Sequence, residues 1–232
     1  RNIIQGLFQG AFWILVLFNL LIYVISRDRI NLFYSFYMAS GAIYYLFYLG
    51  FTQELFFPES PQINPFIWIS SSMGSVFYLS FSRKFLETKE LSPNLDKVLR
   101  ILIVAKLIFG VGALISLFFV GHFMLLELPN VLMIMVEFLF MLSLFVLLRK
   151  KLGKLVGLFL AGTSCLLIGT IISQYILLVH GNSDGIYIME AGQLGEDLLF
   201  ALGIGYRMIL INREKQKTQE ELIGQLQKNE AL

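Results

Sequence analysis

Residues 101–120 read ILIVAKLIFGVGALISLFFV, twenty in a row of which Lys106 alone is charged. At about 1.5 Å of rise per residue this run is about 30 Å long, the thickness of a hydrocarbon core. Lipid offers no partner to peptide groups, so a stretch of this kind is a helix. Lys97 and Arg100 precede it, whereas Gly121-His122-Phe123 after it holds no Lys or Arg. A span with cations at one end only has a direction as well as a length.

The same pattern recurs along the chain. Apolar windows predict seven spans, at about 4–26, 31–52, 63–82, 98–120, 124–148, 155–179 and 188–211. One set of alternate connections carries Arg27 and Arg29, then Arg83 to Arg100, then Arg149 to Lys154. The C-terminal segment from Arg207 joins that set, which in all holds sixteen of the 18 basic residues. The opposite set (53–62, 121–123, 180–187) holds none and contains Glu54, Glu59 and Asp184. By the positive-inside rule the N-terminus is outside and the C-terminus cytoplasmic, as an odd number of spans requires. The expected fold is all-α: a polytopic, seven-transmembrane-helix bundle over 1–211, followed by a cytoplasmic helical extension over 212–232.

Composition agrees. The 232 residues are 57% hydrophobic and 15% charged, with mean hydropathy +0.74. Soluble domains carry roughly a quarter charged residues. Phe 22 and Tyr 10 against Pro 5 exclude a disordered or collagen-like chain. The basic residues fall between apolar runs rather than along one face, which argues against a nucleic-acid partner. The first residue is Arg1, so the chain is expected to be a piece of a longer one.

Little in the chain supports catalysis. His122 and His180 lie far apart beside outward connections and the single Cys165 lies inside an apolar run, so a zinc site would have to recruit carboxylates, and the usual metal spacings are missing. No phosphate-binding glycine loop or nucleophile elbow occurs, and the seventh span has no lysine to anchor a retinal. No enzyme activity, cofactor or metal is expected. Small residues at four-residue spacing (Gly6 with Gly10, Gly112 with Ser116, Gly153 with Gly157 and Ala161) suit close helix approach.

Ionisable groups within spans invite a functional reading. Lys106 in the fourth span and Glu137 in the fifth are a candidate intramembrane pair, with Asn130 on the same face as Glu137; the alternative is that Lys106 snorkels to the interface. In the seventh span Glu190, Gln193, Glu196 and Asp197 fall within an arc of roughly 120°. That face points to the bundle or to an outward-open polar cavity, with Gln5, Gln9, Glu127 and Gln174 at comparable depth. It is a candidate ligand or proton site; the alternative is structural hydrogen bonding. The aromatic second span (Phe33, Tyr37, Tyr44, Tyr48, Phe51) is expected to be packing.

Beyond Ile211 the sequence NREKQKTQEELIGQLQKNEAL is polar and rich in helix formers, and is expected to continue the seventh helix. A polar helix of this length needs a partner, which a parallel homodimer supplies.

Several local patterns, in order, resemble one family. They are Leu17-Phe18-Asn19, Ser26-Arg27-Asp28-Arg29, Tyr34, then Gly50, Pro58 and Asn64 around the outward loop. Phe81-Ser82-Arg83-Lys84-Phe85-Leu86 leads through Ser92-Pro93-Asn94-Leu95-Asp96, and Glu196 lies eleven residues before Arg207. The chain resembles the bacterial seven-transmembrane receptors with diverse intracellular signalling modules. Tyr206 stands where that family carries an acid before the arginine. The resemblance implies a signal-transducing receptor core in the bacterial inner membrane, between an extracellular sensor domain and a cytoplasmic output module. The competing expectation is a transporter or channel that uses Lys106, Glu137, Glu196 and Asp197.

Overall fold

A computed structural model describes residues 2–120, 124–180 and 185–230, with some side chains, Glu127 and the basic run 149–151 among them, outside the description. His122 and Asp184 also lie outside the described residues. Among the described residues all regular structure is helical, in the order α1 (Asn2–Ser26), α2 (Arg29–Tyr48), α3 (Phe51–Leu55), a 3-10 helix (Pro61–Trp68), α4 (Ile69–Phe85), α5 (Thr88–Leu91), α6 (Pro93–Val120), α7 (Met124–His180) and α8 (Ile186–Glu230).

Local chemistry sets these boundaries. The Asp28 carboxylate accepts from Ile30 N at 3.0 Å and caps α2. Gly50, at φ 82, closes α2 one residue past its cap, a conformation that costs other residues a Cβ clash. The expected second span therefore stops at Tyr48, short of residue 52. Pro61 and Pro65 hold the start of the third span in 3-10 form, and its α-helix begins only at Ile69. Pro93 opens α6 at its first position, where the missing N–H is harmless. The expected connection at 149–154 is a break at one residue. Gly153 (φ 54, ψ −127) kinks α7 into two arms. α8 runs without interruption from Ile186 into the polar sequence that ends at Glu230.

Among the described residues three stretches are long and apolar enough to cross a membrane: Ile3–Ser26, Pro93–Phe119 and Gly153–Ile176. They present exposed apolar faces, such as Leu7, Ile14, Leu21 and Ile25 on α1 and Ile101, Ile108, Ile115 and Phe118 on α6. α2 packs between α1 and α4, and α4 between α2 and α6. Enclosed helices need not be apolar all round, and both carry serines. Ser35, Ser40, Ser80 and Ser82 each donate to the carbonyl four residues back at 2.7 Å, whereas the buried hydroxyls of Ser70 and Ser72 have no partner among the described residues. An aromatic core joins four helices: Tyr34, Phe81, Phe85, Phe159 and Phe200, with Phe159 stacked on Phe200 at 4.6 Å.

The second arm of α7 packs closely on α8, and glycines set the spacing. A Cβ on Gly192 would lie 2.7 Å from the Cys165 carbonyl oxygen, and one on Gly169 would lie 2.9 Å from that of Ile188. The small residues singled out by spacing alone behave otherwise: Gly6, Gly10, Gly112, Gly153 and Gly157 have nothing within 4 Å of such a Cβ. Spacing marks a smooth face but not what lies opposite it. Gly192→Ala and Gly169→Ala are each expected to cost about 1–3 kcal/mol by forcing backbones apart. Gly6→Ala and Gly10→Ala should stay within about 0.5 kcal/mol. Thermal unfolding in detergent measures both; equal effects would show that no close approach exists.

Candidate functional site

α8 presents Glu190, Gln193, Glu196 and Asp197 inward, all buried. Opposite them α2 offers Tyr34, Tyr37 and Tyr45, three and eleven residues apart from the first, on one helix face. The two helices run in opposite directions, so the pairs form a ladder. Tyr45 donates to Gln193 Oε1 at 2.6 Å, Tyr37 donates to Glu196 Oε2, and Tyr34 donates to the backbone carbonyl of Asp197. Gly41 lies between these tyrosines, and a Cβ there would lie 2.3 Å from Gln193 Nε2. Absence of a side chain at residue 41 makes the room that Gln193 fills. Beyond Gln193, at the Glu190 end of the ladder, Gln5 of α1 donates to Glu190 Oε1 at 2.9 Å, and Gln9 donates to the Ala42 carbonyl at 3.0 Å. Below the ladder the Tyr78 and Thr163 hydroxyls lie 2.9 Å apart.

Several acceptors in this cluster are left over. Glu196 Oε1, Glu190 Oε2 and both carboxylate oxygens of Asp197 are buried without a hydrogen-bond partner among the described residues. None of the ion pairs among the described residues involves them. Buried carboxyl groups met only by hydroxyls and an amide are costly to assemble, and such cost is commonly carried at functional positions.

The candidate intramembrane pair is brought together. Lys106 Nζ lies 3.2 Å from Glu137 Oε1 and 3.3 Å from Asn130 Oδ1, and Asn130 donates to Ser71 at 3.0 Å. Both charges are buried, and Lys106 has no exposed surface, so it does not snorkel. The fifth candidate of the polar face, Glu127, has its side chain outside the described residues.

At the opposite end of the bundle a second cluster meets α8. Arg207 pairs with Asp28 at 3.3 Å and with Glu87, thereby joining α8 to the α1–α2 and α4–α5 connections. Arg27 (φ 55) and Glu87 (φ 50) are the non-glycine residues with positive φ among those described, and they sit in these two connections. Held conformations of this kind persist only where their surroundings fix them. Beside this clasp Asp96 receives Arg83 through Nε at 2.9 Å and Nη2 at 3.1 Å, together with Arg100 Nε at 2.8 Å and Thr88 at 2.9 Å.

Sequence reasoning missed Glu87 and the α2 tyrosines as partners of α8. The signal for the tyrosines was partial: Tyr34, Tyr37, Gly41 and Tyr45 share a face, but Tyr44 and Tyr48 lie within or beside the same arc and pack with Tyr45 in one apolar cluster. No curated protein and no solved structure matches the chain. A family model described as 7TM diverse intracellular signalling matches residues 1–207, from the start of α1 to the clasp arginine. The chain therefore belongs to the 7TM diverse intracellular signalling family, and it is a multi-pass membrane domain of a transmembrane signalling receptor.

Proposed function

We propose that this chain is the relay of a bacterial inner-membrane receptor, with seven spans, an outside N-terminus and a cytoplasmic C-terminus. One observation carries the reading: α8 is a single continuous helix that holds the polar ladder, then the Arg207 clasp, then a polar extension. Glu196 and Arg207 are eleven residues apart, about 16 Å along the axis. A ligand or an extracellular sensor domain that changes the fit of Glu190, Gln193, Glu196 and Asp197 against α2 moves the same rigid rod that Arg207 restrains. The rod then acts on a cytoplasmic output module, and Leu222, Ile223 and Leu226, exposed on an otherwise polar helix, supply a seam for a parallel homodimer.

The transport reading gains no support from the geometry. Lys106 and Glu137 are paired with each other, and the α2 tyrosines close over Glu196. A conduction path needs such groups open to water. Topology tests the proposal. A reporter fused after Leu232 should be active only in the cytoplasm, and one placed in the 53–62 segment only outside. Reversed labelling at either point would defeat it.

A further inference from the structure

The clasp borders a cleft of about 450 Å³, between the α1–α2 connection, the end of α4, α5 and Arg207. Its volume falls in the range of small-ligand sites, and its lining is strongly charged. The acids there are mostly committed. Asp96 is held by Arg83, and Asp28 and Glu87 by Arg207, which leaves Glu90. Arg27, Arg29, Lys84 and Lys89 also line the cleft and are exposed, and their side chains have no hydrogen bond or ion pair among the described residues. Four cations without side-chain partners line one cleft in which Glu90 is the one uncommitted carboxylate among the described residues, so positive charge is left over.

We infer that this cleft binds a phosphate group through Arg27, Arg29, Lys84 and Lys89, beside the Arg207 clasp. Guanidinium and ammonium donors arranged around a concavity match the several acceptor oxygens of a phosphate. Two sources share that chemistry. Val24 and Ile25, exposed at the end of α1, stop one turn short of the cleft, which sets it at headgroup level beside the apolar face. A phospholipid headgroup can enter from there, and a soluble phosphate compound from the aqueous side. A bound phosphate is also an acceptor for Arg207, in competition with Glu87 and Asp28, so occupancy loosens the clasp. That consequence rests on the reading of α8 as the relay; the binding itself does not.

The test uses the whole chain in phosphatidylcholine nanodiscs. One arm titrates inorganic pyrophosphate and follows bound label. The other replaces about a tenth of the lipid by phosphatidylglycerol and follows its retention by native mass spectrometry. At least one arm should saturate. Lys84→Gln with Lys89→Gln should weaken that binding about tenfold or more, the equivalent of one strong contact. Arg27→Gly, which suits the positive φ at that position, should weaken it as well. Lys97→Gln, a basic change near the rim but outside the cleft, should alter it less than about threefold. Saturation by lipid alone assigns a headgroup, and by pyrophosphate alone a soluble ligand. Saturation in neither arm, or a loss with Lys97→Gln equal to that with the lysine pair, would overturn the site. Because both arms read binding rather than output, they succeed or fail independently of the receptor reading.

Discussion

Glu137→Leu is expected to destabilise the folded protein by about 3–5 kcal/mol, and adding Lys106→Met to return most of that loss. The two charges are buried 3.2 Å apart between α6 and the first arm of α7. Removing the carboxylate alone leaves an ammonium whose one remaining partner among the described residues is the Asn130 oxygen, at 3.3 Å. Such a residue is among the costliest defects a membrane interior can hold. Removing both charges leaves two apolar side chains of similar volume, which a bundle tolerates or prefers. Unfolding of the four proteins of this cycle in detergent gives the coupling directly. If the double substitution is as unstable as Glu137→Leu alone, the pair is not what the charges are for.

Breaking the clasp should change signalling far more than stability. Asp28 and Glu87 are half-exposed, and ion pairs of that kind are worth about 0–1 kcal/mol each. Two together amount to little against a whole fold, yet about 1.4 kcal/mol shifts a two-state equilibrium tenfold. Arg207→Gln is therefore expected to leave the melting temperature nearly unchanged while it moves basal output of the full receptor several-fold. Glu87→Gln should act in the same direction with a smaller size. Glu87→Gly separates charge from backbone, since it loses the pair but relieves the positive φ. A basal output unchanged in Arg207→Gln would remove the clasp from the relay.

How much of this was legible in the sequence depended on whether the partner was nearby. Apolar length located the long helices, because lipid imposes it on the segment itself, whereas the short α3 and α5 were not foreseen. The strongest signals came from α1, α6 and the second arm of α7, which carry exposed apolar faces. The inward face of α8 was legible for the same reason: four polar side chains on one arc cannot meet lipid. What they meet was not. Tyr37 pairs with Glu196 across 159 positions and Arg207 with Glu87 across 120, and no periodicity within one helix encodes such a choice. The glycines show the same limit. Gly6 and Gly10 have the better-known spacing, but Gly169 and Gly192 have the opposing backbone.

The central claim is that the polar ladder and the clasp belong to one moving rod. It is tested most directly by spin labels at Ser92 and Lys217, introduced as cysteines after Cys165→Ala, with their distance distribution measured in nanodiscs. Glu196→Gln, about 16 Å from Arg207 along α8, should shift that distribution toward the one produced by Arg207→Gln. Combined with Arg207→Gln it should add nothing further. A Glu196→Gln distribution identical to that of the unsubstituted protein, while Arg207→Gln changes it, would contradict the account.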